Sequence, residues 1–418
     1  MIKTVDIQRA TVETRGGKNV QIVDNEQNLT AFGELLVGQL HPIFQQSFEY
    51  TVDNTDLNTN TVVNGGTVTQ ASGMAVLGTS ATTASSALFQ SKQHAKYRAG
   101  LGGVCRFTGI FTSPVLGTEQ YIGIMDESGS SEAFKNGYGV GYNGEDFGFH
   151  RWSNDTLTTI KQANWDDPLD GSGLSGMTMA HDKLNIFFVQ FQYLGAGGIS
   201  LWVEDDTFNK PIMVHTIGYA NRNTEPSVHN PNFKHTMWVD NKATTSDIVM
   251  KNSSYSFFIE GKTDLIELHQ PIHSTDVQEK LTVTTKIAIF TIRNKATYVS
   301  KTNFIDIVLL GASASIEANA ANNLGDILIV KNAAIGGTPS YSDINTANSV
   351  VEIDVAGTTV TGGTLIAAGP LAGKNDKLSA DSLILSKIIL NPGDTLTLAA
   401  ESANSATIDA GATWRELF

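Results

Sequence analysis

The stretch FFVQFQYLGAGGISLWV, residues 187–203, decides how the chain folds. Apolar side chains alternate with other side chains both before and after the glycine-rich residues 195–198, and a period of two is typical of strands. A phosphate-binding loop would need a helix after the glycines, because the helix N-terminus supplies the amide donors. A second strand follows instead. The stretch therefore predicts a β-hairpin whose glycines supply the positive φ of the turn.

The same alternation recurs along most of the 418 residues, with turn residues between the runs. Only 17% of the residues are charged and 39 are glycines, a composition that suits short strands joined by tight turns. The segment SSALFQSKQHAKYRAG, residues 85–100, is the one helix that we predict, from a weak pattern. We predict an all-β protein of two antiparallel, jelly-roll-like β-sandwiches preceded by an extended N-terminal arm.

The predicted boundaries are as follows: an arm over 1–48 with a turn at Gly16-Gly17, a first lectin-like sandwich over 49–264, a linker over 265–280, and a second sandwich over 281–418. Two local signals refine this division. Asn64-Gly65-Gly66 predicts a hairpin, and Asn391-Pro392-Gly393-Asp394 predicts a turn before a closing hairpin. Trp414 and Phe418 are expected to pack against the second core.

Charge and composition exclude several classes of function. The net charge is −14 and no basic stripe is visible, so we expect no nucleic-acid partner. No apolar run approaches the length of a membrane span, and the first residues show no apolar signal-peptide core, so we expect neither membrane insertion nor a classical signal peptide. Cys105 is the only cysteine, which excludes an intramolecular disulfide, and we expect it to be a small buried apolar residue.

Several spaced motifs carry a resemblance: AFGELLV at 31–37, QANWDDPLDGSGLSG at 162–176, YLGAGGISLWV at 193–203 and VHTIGYAN at 214–221. In this order they resemble β-sandwich virion structural proteins of tailed phages, chiefly marine ones, and of large algal viruses. The resemblance covers about residues 30–260. The tail NPGDTLTLAAES also resembles the closing hairpin of phage β-domains.

The resemblance implies a non-enzymatic place on a virus particle assembled in the host cytoplasm, and it implies no catalytic residues. We expect a homo-oligomer, most simply a trimer, because association hides the edge strands that sandwiches expose. The arm would contact other virion proteins. A fibre, spike or decoration protein of head or tail could contact host glycans. The alternatives are a tail adaptor or capsid cement that contacts only virion proteins, and a carbohydrate-binding module or depolymerase.

Glycan contact would need exposed aromatic rings, and the candidates are Trp152, Trp165 and Tyr142. Burial of Trp165 at the edge of the sandwich is the alternative, since tryptophan is usually mostly buried.

The loop after Trp165 holds Asp166, Asp167 and Asp170, which could supply oxygen ligands to Ca²⁺. The oxygens that can be counted fall short of six, and aspartate also favours turns because its side chain bonds the nearby backbone. We therefore favour an Asp-rich turn, and we expect no cofactor.

Signatures of enzymes are incomplete. Glu352 and Asp354 alternate on a predicted strand as the paired carboxylates of a glycosidase would, but Ala356 occupies the third acidic position. A solvated strand face is the preferred interpretation. The histidines show no metal-ligand spacing, and we expect His229 and His235 to be exposed in a loop.

Overall fold

The computed structural model describes residues 10–13, 19–22, 39–53, 55–130, 132–207, 210–261, 270–317, 324–372, 377–379 and 385–418. Antiparallel strands dominate these residues, which confirms the prediction of an all-β protein. Within them, no helix has the length and apolar character that crossing a membrane requires. The motif at 31–37 and the predicted turn at Gly16-Gly17 lie outside the described residues.

Strands of the first half of the chain are β1 (Ala10–Glu13), β2 (Asn19–Ile22), β3 (Leu40–Ser47), β4 (Asn58–Val63), β5 (Thr67–Ala71), β6 (Met74–Gly78), β7 (Ser86–Ser91), β8 (Gly102–Phe111), β9 (Glu119–Met125), β10 (Gly137–Asn143), β11 (Asp146–Trp152), β12 (Leu157–Lys161), β13 (Asn185–Gln192), β14 (Ile199–Glu204), β15 (Pro211–Ile217), β16 (Lys234–Asp240), β17 (Val249–Asn252) and β18 (Ser254–Glu260). A 3-10 turn spans Gln162–Asn164.

Two sheets pack face to face in the first sandwich. The seven-stranded sheet has the order β12-β11-β10-β9-β16-β7-β4. The nine-stranded sheet has the order β15-β14-β13-β8-β17-β6-β5, with β18 beside β8 and β3 beside β18. Alternate residues such as Phe107, Phe187 and Val239 fill the core between them. The small pair β1 and β2 forms a separate antiparallel ribbon.

Strands of the second half are β19 (Ile272–Ser274), β20 (Gln278–Val283), β21 (Ile287–Asn294), β22 (Thr297–Tyr298), β23 (Lys301–Thr302), β24 (Asp306–Glu317), β25 (Leu324–Lys331), β26 (Ala334–Ile335), β27 (Ser342–Asp343), β28 (Val351–Asp354), β29 (Val360–Thr361), β30 (Thr364–Ala372), β31 (Lys377–Ser379), β32 (Ile389–Leu390), β33 (Thr395–Ser402) and β34 (Ala406–Leu417). Two six-stranded sheets, built around β24–β34 and around β21–β33–β25, enclose a second core. The prediction of two sandwiches is therefore confirmed.

The hairpin predicted at the opening stretch is confirmed. β13 pairs antiparallel with β14, from Phe187 opposite Val203 to Phe191 opposite Ile199. Gly195 adopts a φ of 81° in the turn, as predicted. Gly197 is needed for space as well, because a Cβ there would lie 1.7 Å from the carbonyl oxygen of Gln192.

The turn at Asn64-Gly65-Gly66 forms, but the predicted hairpin is wrong. Asn64 and Gly65 have positive φ values of 48° and 84°, and the Gly66 amide donates to the Val63 carbonyl at 2.9 Å. The strands on either side then separate: β4 pairs with β7 in one sheet and β5 pairs with β6 in the other. The turn is thus a corner between the two sheets, because the strands on its two sides pair in different sheets.

The closing hairpin is also wrong. The turn before β33 forms, with Gly393 at φ 92° and the Asp394 amide donating to the Asn391 carbonyl at 2.9 Å. However, β33 lies between β21 and β25, whereas β34 lies beside β24 in the other sheet. Trp414 is buried in the second core as predicted, but Phe418 is 45% exposed and does not belong to it.

Three further boundaries differ from prediction. The chain enters the first sandwich already at β3, which pairs with β18, so residues 40–47 are not part of an arm. Residues 270–280 include strand β19 and the start of β20, both paired with β34, so this part of the predicted linker is an edge of the second sandwich. The predicted helix at 85–100 contains strand β7, because Ala87 and Phe89 alternate into the core.

The two sandwiches meet at a charged interface. The Lys96 ammonium lies 3.2 Å from the Asp306 carboxylate and donates to the Leu417 carbonyl at 3.1 Å. The His94 ring packs edge-on against Phe304, with ring centroids 5.3 Å apart. Asp306 is buried, and although burial alone would raise its pKa, Lys96 and His94 hold that pKa below the usual range. At this interface the buried Lys96 ammonium and the buried Asp306 carboxylate therefore neutralise each other.

Candidate functional site

The three rings predicted to contact glycan are buried. Trp152 is 0% exposed, and Trp165 and Tyr142 are each 5% exposed. Tyr142 and Trp165 both contact Phe147 in the core between the sheets, whereas Trp152 packs on the opposite face of the seven-stranded sheet against Tyr121. A ring must expose a face to stack on a sugar, so the prediction is wrong for all three. Tyr142 and Trp152 lie on strands β10 and β11, whereas Trp165 directly follows the 3-10 turn.

The acidic loop is held by its own hydrogen bonds. Asp167 is buried and accepts from the amides of Leu169 at 3.2 Å and Ser175 at 2.8 Å. Asp170 accepts from the Ser172 hydroxyl and amide, which lowers the pKa of its carboxyl. This is the turn chemistry that the sequence favoured.

Asp166 points elsewhere, since it accepts from the Thr216 amide at 3.1 Å and lies 3.2 Å from His215 Nδ1. The three carboxylates thus serve different partners. Among the described residues, no group of three or more His, Cys, Asp or Glu side chains is arranged to hold a metal ion.

The alternating carboxylates of the second sandwich do not converge on a common site. Glu352 forms an ion pair with Arg293 at 2.7 Å. Asp354 is fully buried and accepts from the amides of Ser340 at 2.7 Å and Gly357 at 3.1 Å. The predicted solvated face is therefore wrong for Asp354, whose carboxylate fixes the adjoining loops. Neither group is placed as one of two carboxyls flanking a glycosidic bond.

Two further predictions concerned the burial of single residues, Cys105 and His235. Cys105 is fully buried, as predicted, and burial raises the pKa of its thiol. His235 is fully buried too, so its predicted exposure is wrong. It lies on β16 with its ring stacked on Tyr255 at 3.8 Å between centroids, and burial lowers its pKa to about 3.

A cleft of about 740 Å³ opens on the outer face of the nine-stranded sheet. We call it the Arg106 cleft. Its lining includes Arg106, Thr108, Ser254, Ser256, Gln45 and Tyr50. Its floor crosses β13, β8, β18 and β3, and its rim is the segment that follows β3.

Strand register builds the floor of the Arg106 cleft. Arg106 pairs with Phe188 on one side and with Ser256 on the other, and Ser256 pairs with Gln45. Paired residues of antiparallel strands share a face, so these side chains form one row. Their neighbours along each strand, such as Phe107, point into the core. A second row includes Thr108 beside Ser254, and the Thr108 hydroxyl there donates to the Asn252 side-chain oxygen at 3.0 Å.

The rim presents one exposed aromatic side chain. Tyr50 is 93% exposed, while Phe48 and Val52, two residues away on either side, are buried in the core. The Gln70 amide donates to the carbonyls of Phe48 at 2.9 Å and Glu49 at 3.3 Å. These contacts hold the backbone before Tyr50, and the Asn60 side-chain amide holds it after Tyr50 by donating to the Val52 carbonyl at 2.9 Å, so the ring is presented from a fixed segment.

Arg106 lies between two aromatic rings. Its Cζ is 5.5 Å from the centroid of Phe188 and 4.9 Å from that of Phe258, within the range of cation–π contacts. Its Nε is shielded from solvent and has no hydrogen-bond partner among the described residues. A buried donor without a partner is uncommon in folded proteins, and here aromatic rings rather than a polar partner flank the guanidinium.

The sequence contained no pattern that singled out this cleft. Phe188 and Phe258 are apolar residues at strand positions that alternate with the core-facing ones. This departure from apolar–polar alternation was the available signal of an unusual outer face. Tyr50 lies at the predicted start of the first sandwich, where no local pattern indicated an exposed ring on a rim.

Comparisons with known proteins leave the family open. No protein-family profile matches the chain, and no curated protein sequence matches it. Among solved structures, a glycoside hydrolase family protein from Mycobacterium thermorestibile covers 51% of this chain and 99% of its own, at 10% identity and a TM-score of 0.35.

Two further solved structures are similar at the same level. Peanut lectin covers 52% of this chain and 97% of its own, at 10% identity and a TM-score of 0.33. A Bacillus licheniformis β-glucanase covers 54% and 100%, at 12% identity and a TM-score of 0.33. Similarity at this level carries no argument about what this chain binds or catalyses.

Proposed function

We propose that the protein binds carbohydrate in the Arg106 cleft without cleaving it. The observation that carries the proposal is the composition of the cleft: an exposed tyrosine ring on a held rim above a floor of hydroxyl, amide and guanidinium groups. Sugars present both apolar ring faces and many hydroxyls, and binding sites for small polar ligands combine apolar surface with a few placed polar groups.

The non-catalytic part of the proposal is supported by the carboxyl groups. Among the described residues that line the cleft, Glu49 alone carries a carboxyl, and the Ser47 hydroxyl donates to it at 2.7 Å. Hydrolysis of a glycosidic bond by most glycosidases needs two carboxyls facing each other across the bond. The cleft therefore has the groups for recognition and lacks this pair.

The virion setting stays a prediction that rests on the sequence resemblance. A glycan-binding cleft suits the surface component that we predicted better than it suits a tail adaptor or cement. The predicted association is supported by the edge strand β4, where Val62 and Val63 are exposed. Mass spectrometry of purified particles would show whether the protein is a virion component.

Calorimetric titration of the purified protein with soluble polysaccharides tests the proposed function. We expect saturable binding that Tyr50→Ala weakens about tenfold, as removal of a central aromatic contact does at many interfaces. Leu174→Ala is the matched control, because Leu174 is equally exposed and lies outside the cleft. Absence of binding to every polysaccharide, or an equal effect of both substitutions, would contradict the proposal.

A further inference from the structure

Three arginines of the described chain stack on aromatic rings, and one of them has no polar partner. Arg293 lies 3.8 Å from the Tyr341 centroid and pairs with Glu352. Arg151 lies 5.3 Å from the Tyr219 centroid and donates to the Ser227 carbonyl at 3.2 Å. Arg106, by contrast, has neither an ion pair nor a side-chain hydrogen bond with any described residue.

The position of Arg106 prepares its guanidinium for an acidic group that presents two oxygens. The two phenylalanine rings restrict its side chain, so little further conformational entropy is lost when a ligand binds. The guanidinium is always charged near neutral pH and offers donors in a fork that matches two oxygens of one acidic group. Ser256, paired with Arg106 across the strands, places a hydroxyl beside it in the same cleft.

The negative charge of the whole chain does not prevent an anion from binding at Arg106. The net charge is −14, but charges more than about 8 Å away are largely screened at physiological salt. Glu49 is the one carboxylate in the described lining, and no ion pair joins it to Arg106. It is fully exposed on the rim, where its charge is well solvated.

We propose that Arg106 binds the carboxylate or sulfate group of an acidic glycan in the Arg106 cleft. The inference rests on the proposed function and specifies its ligand class: a sugar chain whose ring lies against Tyr50 and whose anionic group reaches the guanidinium. Arg106 is then the residue that selects acidic over neutral glycans.

The experiment compares four probes on the full chain: polygalacturonate for carboxylates, dextran sulfate for sulfates, dextran as a neutral glycan, and polyglutamate as an anion without sugar. Arg106→Gln should weaken binding of an acidic glycan about tenfold or more, with little change for dextran. Arg106→Lys should retain part of the affinity, because charge remains but the fork is lost. Arg151→Gln, a stacked arginine outside the cleft, is the control. Melting curves of each variant check that it is folded.

The outcomes separate the two proposals. Preference of the wild type for one acidic glycan, lost in Arg106→Gln and kept in Arg151→Gln, supports the inference and identifies the acidic group. Binding of dextran with equal strength by the wild type and Arg106→Gln, without preference for acidic probes, overturns the inference and leaves the proposed function standing. Equal binding of polyglutamate overturns the assignment to a sugar. Binding of no polysaccharide overturns both.

Discussion

Lys96 and Arg106 are two cations of the same sandwich with opposite surroundings. Lys96 lies at the interface between the sandwiches, 3.2 Å from Asp306 and bonded to the Leu417 carbonyl. Arg106 lies in an open cleft between two phenylalanine rings and forms no ion pair with a described carboxylate. Charge alone therefore does not distinguish the two roles. A cation with polar partners inside the chain stabilises the fold, whereas a cation without such partners is available to a ligand.

The energetics of the two sites should differ accordingly. A buried ion pair contributes little net stability, but removing one partner leaves a desolvated charge and is strongly destabilising. A cation over aromatic rings at a partly exposed site contributes only about 0.5–1 kcal/mol. Four measurements test whether the two cations differ in this way.

The largest effect is expected for Asp306→Asn. The substitution leaves the Lys96 ammonium without its carboxylate, and we expect the free energy of unfolding to fall by about 3 kcal/mol or more. Urea titration followed by tryptophan fluorescence measures it. Asp146→Asn is the control, because the exposed Lys161–Asp146 pair should contribute about 0.5 kcal/mol or less. Equal losses of unfolding free energy in the two variants would show that the buried interface pair contributes no more than an exposed pair.

The next effect is a pH dependence at the interface. Burial lowers the pKa of His94, so below its ordinary value of 6.5 the unfolded chain takes up a proton that the folded chain resists. The stability that neutral His94 contributes is therefore present above pH 6.5 and is lost as the pH falls. Between pH 7 and pH 5 we expect a loss of at most about 2 kcal/mol from this group.

Comparison of the wild type with His94→Gln isolates that contribution, because other buried histidines contribute equally to both. Asp306 stays ionised at pH 5, since its pKa is held below the usual range despite burial. The Arg106 cleft has no histidine in its described lining, so polysaccharide affinity at pH 5 should change far less than stability does. Identical pH dependence of stability in the two proteins would show that His94 does not contribute to it.

A smaller effect is expected for Arg106→Gln on stability. Loss of its contacts with Phe188 and Phe258 should cost about 1 kcal/mol or less, because no buried ion is left behind. The same urea titration measures it. A loss as large as that of Asp306→Asn would mean that Arg106 holds the fold, and the contrast between the two cations would fail.

The smallest effect is expected at the exposed acidic loop. Asp166→Asn weakens contacts with the Thr216 amide and His215, and should cost about 0.5 kcal/mol with or without calcium. Melting curves with calcium and with chelator measure it. A calcium-dependent rise of several degrees in the wild type that the substitution abolishes would show a metal site that includes Asp166, contrary to its role as a partner of Thr216 and His215.

Local patterns predicted much of the secondary structure and little of the site. The hairpin at 187–203 could be predicted because a period of two and a glycine turn are both local properties. Trp414 and Cys105 could be placed inside from apolar character alone. The aromatic residues chosen for glycan contact failed for the same reason, since large apolar rings are favoured in buried positions.

From local sequence alone one can derive that the chain forms strands, where it turns, and that Asp167 and Asp170 fold back on their own loop, because these follow from backbone preferences and contacts a few residues apart. Other features depend on the assembled fold: the chain at 64–66 changes sheets, Lys96 meets Asp306, and Arg106 shares a cleft with Tyr50. Those outcomes depend on which distant strands pair, and pairing is chosen by the packing of whole faces, which no single stretch of sequence contains.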